Sequence, residues 1–187
     1  MQKIRTFIAI DIPASQKIIQ VINELKKTQI DAKLVEIENM HLTLKFLGDT
    51  DEKLIDEIEK TIEESTENIQ PFEITLKNMG VFPNQNYIKI VWIGVENAGP
   101  LKQIAETIDT KLKKLGFEKE RRTFSAHLTI ARVKSAKNKE KLIQLINKYQ
   151  DVEFQKIKVD KIFLKKSILT SKGPIYTILK EVEIRGK

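Results

Sequence analysis

The sequence predicts an α+β fold of two similar lobes, each a mostly antiparallel β-sheet with helices on its outer face, related by an approximate twofold axis through a central cleft. Three observations predict it. Apolar residues switch between strand-like and helix-like spacing in the order β-α-β-α-β, and that order occurs twice. The only two histidines stand in matching tetrapeptides, "HLTL" from His41 and "HLTI" from His127, which lie 86 residues apart (127 − 41). Shifting the chain by that length lays strand on strand and helix on helix, so the repeats run approximately 1–83 and 87–187 within a single bilobal domain, 1–187.

The elements follow in order. "KIRTFIAIDI" (Lys3 to Ile12) is rich in β-branched and aromatic residues and reads as a strand. Pro13 and Ser15 then open a helix with Ile18, Ile19, Ile22 and Leu25 on one face. "HLTLKFL" (His41 to Leu47) is a strand, and Thr50, Asp51 and Glu52 supply a cap and an acidic first turn for a helix striped by Leu54, Ile55, Ile58 and Ile62. "FEITLKNMGVF" (Phe72 to Phe82) is a strand ended by the turn composition "PNQN".

The second half repeats this. "NYIKIVWIGV" is a strand, and Pro100 opens a helix carrying Leu101, Ile104, Ile108, Leu112 and Leu115, stopped by Gly116. "HLTIARV" is a strand and Lys139 to Tyr149 a helix. "KIKVDKIFLKKSIL" and "IYTILKEVEI" read as strands around the turn "TSKGP", with Lys172, Gly173 and Pro174 at its centre.

Composition bounds the chemistry. With 187 residues, 41% hydrophobic and 32% charged, the chain is an ordinary globular protein with room for a real core. The absence of Cys removes disulfides, thiolate chemistry and Cys-based zinc sites, and suits a reducing compartment; no apolar run is long enough for a membrane span, so a cytoplasmic location is expected. Two histidines without His-x-x-x-His spacing or a carboxylate in the motifs argue against a metal site. A net charge of +7 favours encounter with phosphate-rich partners, although Lys alternating with Glu also describes a solvated surface.

Strand alternation puts His41 and Thr43 on one face with Leu42 and Leu44 on the other, and treats His127 and Thr129 against Leu128 and Ile130 in the same way. A duplicated fold would bring both polar pairs to one groove. Two imidazoles flanking one point can divide acid–base work, one taking a proton from an attacking water and the other giving one to a departing oxygen. Threonine hydroxyls can hold the nonbridging oxygens of an anion between them, which is the geometry of in-line phosphodiester cleavage. Taken singly, a strand histidine is ordinarily a hydrogen-bonded structural residue and a strand threonine serves β-propensity; the matched pair is what points to catalysis.

At these residues the chain resembles the two-histidine (2H) phosphoesterase superfamily and, within it, the RNA 2',3'-cyclic phosphodiesterases, also called 2'-5' RNA ligases. The likeness extends through "RTFIAID", "HLTLKFLG", "GVFPNQNY", "HLTIARV" and "KSILTSKGPIYTIL". It implies His41 as proton donor to the leaving 3'-oxygen, His127 as proton acceptor from water, and Thr43 and Thr129 as phosphate-binding residues. It also implies an RNA partner with a 2',3'-cyclic phosphate end, tRNA fragments among the candidates, with no metal, no cofactor and no membrane, and a monomer. Phe46 and Arg132, each five residues after a motif histidine, would bind substrate by stacking and by charge. Strict alternation turns both away from His and Thr, so that role requires a twist or bulge before them; otherwise they pack structurally. Lys165 and Lys166 are expected at the solvated surface, and Trp92 and Tyr87 in packing. The alternative of a different class is a noncatalytic module that holds RNA ends during processing.

Overall fold

The computed structural model describes residues 3–171 and 173–186, so Lys172 of the expected turn lies outside the described residues. In chain order the elements are β1 (Lys3–Asp11), α1 (Gln16–Lys27), β2 (Ala32–Leu34), β3 (His41–Asp51), α2 (Ile55–Thr66), β4 (Phe72–Asn84), β5 (Tyr87–Glu96), α3 (Gly99–Leu112), β6 (His127–Val133), α4 (Lys139–Lys148), β7 (Glu153–Val159), β8 (Lys161–Leu169) and β9 (Pro174–Glu183). Local chemistry accounts for the helix ends. Ser15 Oγ accepts from the Ile18 N–H at 3.3 Å, satisfying one of the free donors of α1. Gly99 and Pro100 start α3, and Gly116, at φ 89°, ends the short 3-10 turn that follows it, a conformation open chiefly to glycine.

The strands form two antiparallel sheets. One has the order β3-β1-β8-β9 and the other β2-β6-β5-β4-β7. The two sequence repeats interleave in these sheets. β4, the third long strand of the first half, pairs with β5 of the second, while β8 of the second half pairs with β1 of the first. The helices follow the exchange: α2 and α3 contact the first sheet through β9 and β3, and α1 and α4 contact the second through β7 and β4. Each lobe therefore holds one helix from each half, where the sequence suggested that each half would cover its own strands. The run "KIKVDKIFLKKSIL" is also two strands rather than one. It breaks at Asp160, and its parts, β7 and β8, enter different sheets.

One hydrophobic cluster joins both lobes on the helix-covered faces, with Ile8 and Leu42 from the first sheet and Val91 and Leu128 from the second all fully buried. Each such side chain contributes about 1.5–3 kcal/mol relative to exposure. The opposite, uncovered faces carry the polar motifs, and β3 and β6 touch each other although they belong to different sheets. No helix among the described residues is long and apolar enough to cross a membrane.

Candidate active site

The two motif histidines occupy the same place in their strands. His41 opens β3 and His127 opens β6, and each ring Nδ1 meets the carbonyl of the residue two before it: Asn39 O at 2.7 Å and Ser125 O at 2.8 Å. A carbonyl only accepts, so the proton of each neutral imidazole sits on Nδ1 and the Nε2 lone pair is left for another partner. Thr43 is exposed and Thr129 half-buried, and neither hydroxyl bonds another protein group among the described residues.

The fate of Phe46 and Arg132 is decided by a pair of equivalent bulges. Thr43 pairs with Ala9 but Lys45 pairs with Ile8, which leaves Leu44 as an extra residue in β3. Thr129 pairs with Trp92 but Ala131 pairs with Val91, which leaves Ile130 as its counterpart in β6. Leu44 and Lys45 are consequently both buried, as are Ile130 and Ala131, and the next residue in each strand turns back outward. Phe46, 45% exposed, and the exposed Arg132 thus stand on the same faces as the histidines and threonines. Arg5 lies 4.7 Å from the Phe46 ring centre.

The charge of Arg132 reaches from one sheet to the other. The residue sits in β6, yet its charge acts on His41 of β3 and on Tyr176 of β9. The β8–β9 hairpin spans both sheets at one end: Asn39 Nδ2 donates to Pro174 O at 3.3 Å, and a Cβ at Gly173 would lie 3.4 Å from Lys33 Nζ on β2.

Around these residues the walls differ. His41 packs on Phe7 (ring centres 5.0 Å apart) and edge-on to Tyr176 (5.3 Å), and stands opposite Asp11 in the β1–β3 ladder. Behind Asp11 lies Lys165, 6% exposed and ion-paired with the Asp11 carboxylate. Lys165 was expected at the solvated surface; it is buried because β8 is an inner strand between β1 and β9, where the Asp11 carboxylate pairs its ammonium. Burial holds the His41 pKa below the ordinary histidine value, helped by the Lys165 charge, against the opposing pull of the Asn39 bond and the Asp11 carboxylate. His127 stands opposite Gly94 and meets Phe82 edge-on at 5.1 Å. Trp92 lies flat across Gly80, where a Cβ would come within 2.3 Å of the indole, so that glycine is required for the floor on this side.

Sequence reasoning passed over Asp11, Phe7, Phe82 and Tyr176, and placed Lys165 at the solvated surface. Tyr176 lay inside a stretch that carried the resemblance, but a single aromatic in an amphipathic strand does not announce which ring it touches. Among the described residues no group of three or more His, Asp or Glu side chains is arranged to hold a metal ion.

With this geometry in view, comparison with known proteins decides the family. The family model of the 2'-5' RNA ligase superfamily matches residues 13–166. The chain belongs to that superfamily. It is 47% identical to a protein of Methanocaldococcus jannaschii named RNA 2',3'-cyclic phosphodiesterase, over 95% of this chain and 99% of that one. A protein of the same name from Methanothermobacter thermautotrophicus is 40% identical, over 94% of this chain and 96% of that one. Among solved structures, one from Thermus thermophilus superposes with a TM-score of 0.78 at 25% identity, covering 98% of this chain and 99% of that chain. E. coli LigT complexed with 3'-AMP shares the fold, with a TM-score of 0.72 at 24% identity over 97% of this chain and 98% of that one.

Proposed function

We propose that this member of the superfamily hydrolyses 2',3'-cyclic phosphate ends of RNA to 2'-phosphate ends. The observation that carries the reading is the matched pair of imidazoles, each pinned through Nδ1 by a carbonyl and without a partner for Nε2 among the described residues, in a chain 47% identical to a protein named for that reaction. His127 Nε2 takes a proton from water as its oxygen bonds to phosphorus; the bond from phosphorus to the 3'-oxygen breaks, and protonated His41 gives its Nε2 proton to that oxygen. Thr43 and Thr129 donate to the nonbridging oxygens, Arg132 offsets their charge, and Phe46 stacks on a base. A 5'-hydroxyl in place of water gives a 2'-5' linkage by the same steps. No step is assigned to a metal or a cofactor.

Because burial and Lys165 depress the His41 pKa, the free protein at neutral pH carries this imidazole mainly neutral. An entering phosphate monoanion draws it back toward the charged form, so substrate binding arms the acid. Both motifs come from one chain, which fits a monomer, and the Cys-free composition fits the cytosol; tRNA fragments are among the RNAs whose ends suit the cleft.

The test offers purified protein an RNA ending in a 2',3'-cyclic phosphate, with EDTA present, and locates the product phosphate by phosphorus NMR. A 2'-phosphate is expected. A 3'-phosphate overturns the mechanism, and firm RNA binding without any turnover, unchanged by His41→Ala and His127→Ala, leaves the noncatalytic module.

A further inference from the structure

The cleft accounts for the terminal nucleotide but leaves open where the rest of an RNA strand runs. Two surfaces adjoin it. Beside Phe46 lies the larger concavity, about 710 Å³, and it is lined by charges of both signs, Lys119, Arg121 and Arg122 with Asp49, Glu118 and Glu120. Such a wall offers a polyanion little net attraction.

The other surface begins where β5 and β6 leave the cleft. Arg132 pairs with Ile90, and the residues just beyond, Lys89 on β5 and Lys134 after β6, line a shallow recess with Tyr87, Lys137 and Lys139. No carboxylate lines it among the described residues; Asp31 and Glu140, the nearest in sequence, are not part of its wall. Of these lysines, Lys89 rests 4.6 Å from the Tyr87 ring centre and Lys139 donates to Asn86 O at 3.0 Å. None of the four forms an ion pair among the described residues. Tyr87 is 59% exposed. At about 90 Å³ the recess is far below the roughly 300 Å³ of a small-molecule pocket. It suits a backbone crossing it, with a base laid on the exposed tyrosine.

We propose that Tyr87, Lys89, Lys134 and Lys137 form a track for the single-stranded RNA 5' of the reacting end, carrying the strand out of the cleft past Arg132 and away from the mixed-charge concavity by Phe46. Unpaired lysines without neighbouring carboxylates release counterions when phosphates replace them, and an exposed aromatic supplies stacking without sequence preference. The inference rests on the proposed hydrolysis for its substrate.

The experiment compares a dinucleotide and an oligonucleotide of about twelve residues, both ending in a cyclic phosphate. Lys134→Gln with Lys137→Gln should lower kcat/KM for the long RNA about tenfold, leave the dinucleotide unchanged, and reduce the log–log salt slope by about 1.4. Tyr87→Ala should lower the long-RNA value about fivefold or more. Lys119→Gln with Arg121→Gln, beside the larger concavity, should change neither. Equal losses on both substrates, or a long-RNA loss only in the Lys119 and Arg121 variant, overturn the track. If the wild type cleaves neither RNA, the hydrolysis reading fails separately, and fluorescence anisotropy of the long RNA with the same variants judges the track alone.

Discussion

The two histidine half-sites are alike in backbone and unlike in surroundings. Both rings are held through Nδ1 by the carbonyl two residues back, and both motifs end in the same bulge. Opposite His41, however, stands Asp11 with buried Lys165 behind it, whereas opposite His127 stands Gly94, which brings no charge. Two aromatic rings enclose His41 and one meets His127. After the bulge the first strand has Lys45 and Phe46, the second Ala131 and Arg132. Duplication supplies two equivalent positions, and the proposed division of labour between acid and base rests on the residues that break the equivalence.

The largest effect that tests this division comes from removing the rings. His41→Ala and His127→Ala should each reduce turnover about 10²–10⁴-fold, and the double variant should be little worse than either, because the two act as a unit. An aryl phosphodiester separates the roles, since a phenolate leaves without a proton. The His41 variant should regain most of its rate on that substrate and the His127 variant should not. The reverse pattern would exchange the acid and the base.

A smaller effect tests the asymmetry after the bulge. The bulge that turns Phe46 outward turns Lys45 inward, where its Nζ meets Asp109 Oδ1 at 2.6 Å and the Glu118 carbonyl at 2.9 Å. Their side chains are 2% and 12% exposed, so Lys45→Ala leaves the Asp109 carboxylate with the Glu120 N–H donating to it at 3.0 Å but without its cation, and should cost about 3 kcal/mol in urea unfolding. Lys45→Met combined with Asp109→Leu should recover most of it, because an apolar pair of similar volume removes the stranded charge. A Lys45→Ala variant as stable as the wild type would mean that the pair contributes nothing.

These cases show what the sequence carried and what it did not. The four helices, the duplicated His-x-Thr pattern and the strands other than the short β2 and the β7–β8 break are periodic and local, so they were legible. Whether Phe46 and Arg132 face the cleft was not, because one extra residue, Leu44 or Ile130, reverses the alternation and leaves no mark in composition. The exchange of β4 and β8 between sheets was hidden for another reason: it is a choice among long-range pairings that all preserve the same local pattern. The burial of Lys165 follows from that exchange, since only the pairing of β8 with β1 brings it behind Asp11.

The subtlest difference between the half-sites is the charge pair beside His41, and its two members should act in opposite directions. Lys165→Met removes a cation that favours neutral imidazole and leaves the Asp11 carboxylate alone, so the His41 pKa should rise. With His41 as the acid, kcat/KM falls as pH climbs through that pKa in the free enzyme, and this limb of the bell should move to higher pH. Asp11→Asn removes the anion and leaves Lys165 uncompensated, so the same limb should move to lower pH. A merely loosened site would shift both variants one way. The chain has two histidines, so NMR titration of ring signals can follow His41 directly while the other ring reports whether the fold has moved. Shifts of one sign in both variants would remove the ion pair from any part in tuning the acid, and would leave burial, the Asn39 bond and the Arg132 charge to set His41 apart from an exposed histidine.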